Sequence, residues 1–336
     1  MNILITSAGR RSYLVRYFKE AVGENGKVFV SNSIFTPTLL AGDGYTLTPS
    51  IYDDGYISFL LEYCRKNEIT ALISLFDIDL PVLAANRSRF EEAGIRLLVS
   101  EESFVRVCND KYQTSLFFAR NGIPAPRTFV SVSEVLDNLS SGSLRFPLIL
   151  KPRFGMGSIG IYRAENRAEL ECFHEKCSRE IAATYLRYET AAAPDQPVIF
   201  QEFIDGEEYG LDVINDLNGR YVNTICKKKF AMRAGETDAA ETVDFPELTE
   251  YGHQLALASR HIANLDCDVI VRDGAIYFIE MNARFGGGYP FSHMAGVNLP
   301  KAIIAWLNGE DGNDCCLHEK TGVRTYKEIS LVSLEK

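Results

Sequence analysis

The sequence predicts an α/β fold for about its first 105 residues and an α+β arrangement after them. Three observations lead there. Apolar runs alternate with amphipathic helical stretches up to residue 99, and hairpin signals take over later. One late run, Phe278-Ile279-Glu280-Met281-Asn282, ends in polar side chains followed by Arg284 and Gly286-Gly287-Gly288. Strand and helix taking turns imply a parallel sheet with helices on both sides. Ligands of such a sheet belong at the carboxyl ends of its strands.

In the first part, strands are expected at residues 2–6, 27–31, 71–75 and 96–99, with helices from Ser12, over 56–66 and over about 80–93. After the first strand, Ser7-Ala8-Gly9-Arg10-Arg11-Ser12-Tyr13 offers helix-start amides and two arginines to an anion. It is not the Gly-x-Gly-x-x-Gly fingerprint, which argues against a dinucleotide cofactor. Beyond Ser74, Asp77 or Asp79 could hold an ammonium group, with helix capping the competing role.

A further helix is expected from Asn109-Asp110-Lys111-Tyr112, stopping before Asn121-Gly122, with Pro124 and Pro126 forcing an extended exit. Residues 146–152 read as a buried strand that delivers Lys151 at its end. Gly155, Gly157 and Gly160 follow at once, in a loop bare enough to fold over phosphate oxygens while the lysine supplies a point charge. Residues 164–197 are helix and loop, 198–213 are strand, turn and acidic strand, and 221–230 form a strand carrying Lys227, Lys228 and Lys229. A mobile-looking loop is expected at 233–238, an amphipathic helix with His253 and His261 at 251–263, and an edge strand at 326–334.

On a strand, alternate side chains share a face, so Glu280 and Asn282 point the same way. The preceding run, Asp268-Val269-Ile270-Val271, reads as the other arm of a hairpin turned by Arg272-Asp273-Gly274. A three-residue loop with Gly274 left-handed pairs Asp268 with Phe278 and sets it on the face of Glu280 and Asn282. A two-residue loop pairs it with Ile279 and turns it away. The three-residue loop is expected, because two carboxylates and an amide converging from two strands suit Mg²⁺.

Bulk properties exclude several classes. Net charge is −10 and pI about 5.2, so no basic surface favours nucleic acid or an anionic membrane. No apolar run reaches membrane-spanning length, and the first residues read as a strand and not as a signal peptide, so a cytoplasmic protein is expected. The eight cysteines include no Cys-x-x-Cys pair, and adjacent Cys315 and Cys316 do not easily bridge each other; reduced thiols are expected.

With Lys111, Lys151 and its glycine loop, Gln201 to Glu208, and Asp268 through Arg284 in this order, the chain resembles the ATP-grasp superfamily of carboxylate ligases over roughly residues 1–305. The pattern is similar to the biotin carboxylase and carbamoyl phosphate synthetase large-chain branch, whose metal motif is also Glu-Met-Asn followed by arginine. The resemblance implies a Rossmann-like pre-ATP-grasp domain at 1–105 and a two-lobed ATP-grasp domain at 106–305. Within the latter, a lid lobe covers about 125–200 and a larger lobe about 201–305, leaving a short tail at 306–336. It implies that Lys111 and Lys151 contact ATP phosphates and that Gly155, Gly157 and Ser158 close over them. Gln201, Glu202 and Phe203 would lie at the adenine, with backbone at the last two reading its edge, and Glu208 would take the ribose hydroxyls. Asp268, Glu280 and Asn282 would hold one or two Mg²⁺, with Mn²⁺ an alternative ion, and Arg284 and Arg233 would act on the substrate. Asp268 departs from the branch's glutamate, and the shorter side chain suggests looser or water-mediated binding.

The implied reaction is ATP-dependent joining of a small carboxylate, such as an amino acid, to an amine through an acyl phosphate, with a homodimer compatible with the family. Two alternatives fit parts of the pattern: a nucleotide-binding regulatory protein without turnover, and a carboxyphosphate-forming enzyme like carbamoyl phosphate synthetase or biotin carboxylase. One ATP-grasp unit and a short tail, with no biotinyl carrier sequence, argue against the second.

Overall fold

A computed structural model describes residues 1–155, 160–312, 317–329 and 331–334. Gly157, Ser158, Cys315 and Cys316 lie outside the described residues. Three sheets organise the chain. The first contains β1 (Asn2–Thr6), β2 (Lys27–Asn32), β3 (Gly44–Leu47), β4 (Ile69–Ser74) and β5 (Arg96–Leu98), all parallel in the order β3-β2-β1-β4-β5. Successive side chains of β1 enter different cores: Leu4 packs with Leu72 and Leu97, while Ile3 and Ile5 pack with Val28 and Ile73. The strand order reverses between β1 and β4, which puts the Ser7–Arg11 turn and the segment after Ser74 at the same sheet crevice.

The second sheet has four strands in the order β6-β9-β7-β8: β6 (Thr128–Phe129), β7 (Leu148–Pro152), β8 (Tyr162–Ala164) and β9 (Val198–Glu202). With helix Arg167–Ala183 it forms its own core around Leu148, Leu150, Leu170, Ile181 and Phe200. The third has the order β14-β13-β10-β11-β12-β15: β10 (Glu207–Asn215), β11 (Tyr221–Arg233), β12 (Glu236–Thr242), β13 (Ala263–Arg272), β14 (Ala275–Asn282) and β15 (Arg324–Tyr326). Its apolar residues continue both cores of the first sheet. Leu211, Leu265 and Phe278 join the Leu4 side, and Ile214 and Ile225 join the Ile3 side.

Several local expectations need correction. The 80–93 segment is two helices, Asp79–Ala85 and Arg87–Glu92, because Asn86 ends the first and its side chain bonds back to the Val82 carbonyl at 2.9 Å. The later helix is Pro246–Ser259 and stops at left-handed Arg260, so His261 lies beyond it, fully buried and bonded through Nε2 to the Val213 carbonyl at 2.9 Å. The tail's edge strand is β15, earlier than expected, and it pairs with β12. The 233–238 loop is a two-residue turn: Arg233 pairs with Glu236, and Ala234 and Gly235 both have positive φ. The six cysteines among the described residues that are recorded as free thiols comprise five buried ones and exposed Cys172. No helix among the described residues is long and apolar enough to cross a membrane.

Candidate active site

The hairpin of β13 and β14 brings the acidic side chains together, by a route other than the expected one. Arg272 pairs with Ala275, so the turn is the two-residue Asp273-Gly274, with φ of 51° and 80°. That register alone would turn Asp268 away from Glu280. A β-bulge between the Val269–Phe278 and Asp268–Glu280 pairs inserts Ile279 and restores the common face. Asp268 therefore stands directly across from Glu280, and Asp266 across from Asn282.

On the other side of β13, Asp268 pairs with Gly210 of β10, which pairs with Lys227 of β11. A Cβ at Gly210 would lie 3.1 Å from the Lys229 side chain, so the bare glycine lets that lysine cross β10. Its ammonium bonds Asp268 Oδ1. Burial alone would lower the Lys229 pKa, but Asp268 outweighs it and holds the lysine above its ordinary range. Lys227 is buried and bonds Asp212 and, at 2.9 Å, Ser292 Oγ.

The lysines of the opposite wall come from the four-stranded sheet and the helix before it. Asp110 caps helix Lys111–Arg120 by accepting from Tyr112 N at 3.0 Å. It also accepts two bonds from buried Arg153, at 2.8 and 2.7 Å. The Lys111 amide bonds the Arg153 carbonyl at 3.0 Å, which fixes the helix start beside the end of β7. Lys111 Nζ caps the Gly155 carbonyl. Lys151 is only 5% exposed; burial, reinforced by Lys111 and opposed by Glu280 and Asp268, pulls its pKa down to about 8.

These groups enclose a cleft of about 410 Å³ lined by Lys111, Lys151, Glu208, Lys229, Asp268 and Glu280, with Phe154, Leu186, Val269 and Ile270 as apolar walls. A second cavity of about 190 Å³ adjoins it through Lys229, Asp268 and Glu280 and runs among Arg11, Lys227, Glu236, Asp266, Asn282 and Arg284. Arg284 is 7% exposed at its side chain and pairs with Asp77 at 2.8 Å and Asp266 at 3.3 Å. Burial pushes Asp266 above the ordinary carboxylate range against the pull of Arg284. Gly286 permits that packing, since a Cβ there would fall 2.0 Å from an Asp266 carboxylate oxygen.

Not every expected residue joins the site. Arg233 is half exposed and pairs with Asp238 at 2.8 Å, and neither cavity contains it; its turn contributes Gly235 instead. The Gln201 amide donates to Thr128 Oγ1 at 2.9 Å inside the four-stranded sheet. The Glu202 backbone N–H bonds the Arg127 carbonyl at 3.0 Å and that of Phe203 the Pro147 carbonyl at 3.4 Å, so both N–H groups are engaged within the protein. Asp79 is fully buried among the hydroxyls of Thr6, Ser7, Tyr56 and Ser74, which leaves it no room for an ammonium ligand. Sequence reasoning missed Asp212, Lys227, Lys229, Asp266 and Glu236. A signal existed: Lys227 and Lys229, like Asp266 and Asp268, are two apart on strands and so share a face.

The donor set fits Mg²⁺. Among the described residues no group of three or more His, Cys, Asp or Glu side chains is placed to hold a metal ion by itself. Two carboxylates and an amide make a partial set, which suits an ion that keeps water and phosphate ligands. Buried oxygens of Asp77 and Asn109 without a partner among the described residues lie in the same wall as Glu280 and Asn282.

Comparison with known proteins agrees. Residues 108–288 match the ATP-grasp domain model, and residues 3–98 match the model for a PylC-like N-terminal domain. The chain belongs to the ATP-grasp family. As an ATP-grasp protein it is an ATP-dependent ligase, of a class that forms C–N bonds and binds ATP with Mg²⁺. Among solved structures it is similar to biotin carboxylase from Campylobacter jejuni, with 18% identity, a TM-score of 0.71, and coverage of 90% of this chain and 70% of that one. It is also similar to an L-amino acid ligase from Bacillus licheniformis, at 19% identity and TM-score 0.64, covering 90% and 73%. Phosphoribosylglycinamide synthetase from Anaerococcus prevotii gives 19% identity and TM-score 0.63, covering 93% and 76%. At these identities the likeness carries the ATP-grasp fold alone.

Proposed function

We propose that this ATP-grasp ligase joins a small carboxylate to an amine through an acyl phosphate, with nucleotide in the larger cleft and acceptor in the smaller cavity. The observation that carries the reading is the shared wall of Lys229, Asp268 and Glu280 between the two spaces. A phosphoryl donor and its acceptor need such a boundary, close enough for in-line transfer.

Each residue then has a physical task. Lys111 and Lys151 bind the phosphates, and Glu208 accepts from the ribose hydroxyls. Asp268, Glu280 and Asn282 would hold one or two Mg²⁺, which would draw charge from the transferring group. An anionic carboxylate approaching ATP is repelled, by about 4 kcal/mol for two unit charges 4 Å apart at an effective dielectric of 20. Lys151, Lys229 and Arg284 offset that repulsion. The carboxylate oxygen attacks the γ-phosphorus as the bond to ADP breaks. The amine nitrogen then attacks the acyl carbon, phosphate leaves with the C–O bond electrons, and the nitrogen gives its proton to phosphate or water.

The test is acceptor-dependent ADP release over a panel of carboxylic acids, amines and bicarbonate. Glu280→Gln should reduce it at least ~100-fold; full turnover in that variant would overturn the assignment. Bicarbonate as the preferred acceptor would favour carboxyphosphate formation, and nucleotide binding without ADP from any acceptor would favour a regulatory role.

A further inference from the structure

The second cavity contains four cations, Arg11, Lys227, Lys229 and Arg284, and they are not equivalent. Lys227 is bonded to Asp212, Lys229 to Asp268, and Arg284 to Asp77 and Asp266. Arg11 differs. Its Nη1 donates to the Leu75 carbonyl, and its nearest carboxylate, Glu236, is 3.7 Å from Nη2, beyond hydrogen-bond reach. Glu236 is also shared with Lys327 at 3.3 Å. A guanidinium carries five N–H donors, so Arg11 keeps donors unspent among the described residues while its side chain is only 14% exposed.

The bond to Leu75 ties the turn after β1 to the end of β4, so the guanidinium is fixed at the reversal point of the first sheet. The hydroxyl of Tyr13 is buried without a partner among the described residues, in the field of both Arg11 and Glu236. Met232, Ala240 and Phe291 supply an apolar flank to the same cavity. A fixed guanidinium with unspent donors, paired with Glu236 only at 3.7 Å and beside an apolar flank, complements a carboxylate on a short carbon chain.

We infer that Arg11 holds a carboxylate of the amine substrate, one that does not react, so that the amine this ligase takes is an amino acid. The inference rests on the carboxylate–amine ligase reading. In it, Arg11 selects and orients the amine, while the activated carboxylate belongs to the other substrate.

The test uses the full chain with Mg·ATP and paired amines that differ only by the carboxyl group: glycine and methylamine, β-alanine and ethylamine, γ-aminobutyrate and propylamine, and larger α-amino acids with their decarboxylated counterparts. The amino acid of the accepted pair should exceed its partner ~10- to 100-fold in kcat/KM for ADP release. In Arg11→Gln the KM of the amino acid should rise by that factor and the preference should fall to near unity. Arg11→Lys should keep part of it, because the charge stays and the fork is lost. Nucleotide affinity reports whether each variant is folded, and should Arg11→Gln fail to fold, wild-type discrimination and Arg11→Lys still decide. Equal use of both members by the wild type, or a rise in the KM of the activated acid instead, would overturn the inference and leave the ligase reading standing. Absence of ADP release with every pair would remove the ligase reading, and the inference with it.

Discussion

Lys151 shows how one buried charge couples binding to pH. Its folded-state pKa of about 8 lies below the ordinary 10.5 because burial disfavours the ammonium form. The sign follows from linkage: the cost of burying the ammonium is fully present below about pH 8 and is relieved as pH rises from there toward 10.5. Triphosphate oxygens placed against Lys151 reverse the balance, so Mg·ATP binding at pH 8.5 should take up protons. Calorimetry in buffers of different ionisation enthalpy measures this uptake, and Lys151→Met should abolish it. Asp212 poses the complementary problem, being fully buried with Lys227, Ser292 and Asn264 as donors. Lys227→Met leaves its carboxylate without a counter-charge and should cost about 3–5 kcal/mol in urea unfolding, while Asp212→Leu with Lys227→Met should recover much of that loss.

Among the elements, contact between the first sheet's connections and the four-stranded sheet module is open to test. Tyr52 stacks on Tyr188 with ring centroids 4.5 Å apart and donates to Glu189 at 2.7 Å. Tyr188 and Glu189 belong to helix Leu186–Glu189, and Leu186 lines the larger cleft, where the proposal places nucleotide. Tyr52→Ala should speed nucleotide release several-fold, consistent with about 0.5–1.5 kcal/mol for such a ring pair, and stopped-flow displacement of a fluorescent nucleotide measures it. How much of this was legible in sequence depended on how local each signal is. The parallel sheet was, because period and alternation are local. So were Lys111 at the start of a helix, Lys151 at a strand end, and Glu280 and Asn282 on one face. The turn length was not, since Asp273-Gly274 satisfies either loop, and the bulge at Ile279 reflects pairing across two strands. The 233–238 loop was misread for a related reason: a polar tip reads as a flexible loop until the register of β11 and β12 is known. The partners of Arg284 could not be read either, because Asp77 lies 207 residues away and meets it only through the shared core.

At the scale of the whole molecule, the first and third sheets share their cores, whereas the four-stranded sheet has its own. The larger cleft is bounded by both units, with Lys151 and Phe154 from one and Asp268 and Glu280 from the other. Nucleotide should therefore tie two separately cored bodies together, and Mg²⁺ should matter because it screens phosphates from the acidic β13–β14 hairpin. At a hundredfold excess over Kd, Mg·ATP should add about 2.7 kcal/mol to stability. Removing the metal with a chelator should forfeit most of that gain, since bare triphosphate then faces Asp268 and Glu280 with only the lysines to compensate. Thermal unfolding at fixed nucleotide, with and without Mg²⁺, gives the comparison. Glu280→Gln should shrink the difference between the two curves, because it removes one metal-binding charge and one source of repulsion together. A metal-dependent shift of undiminished size in that variant would place the ion elsewhere.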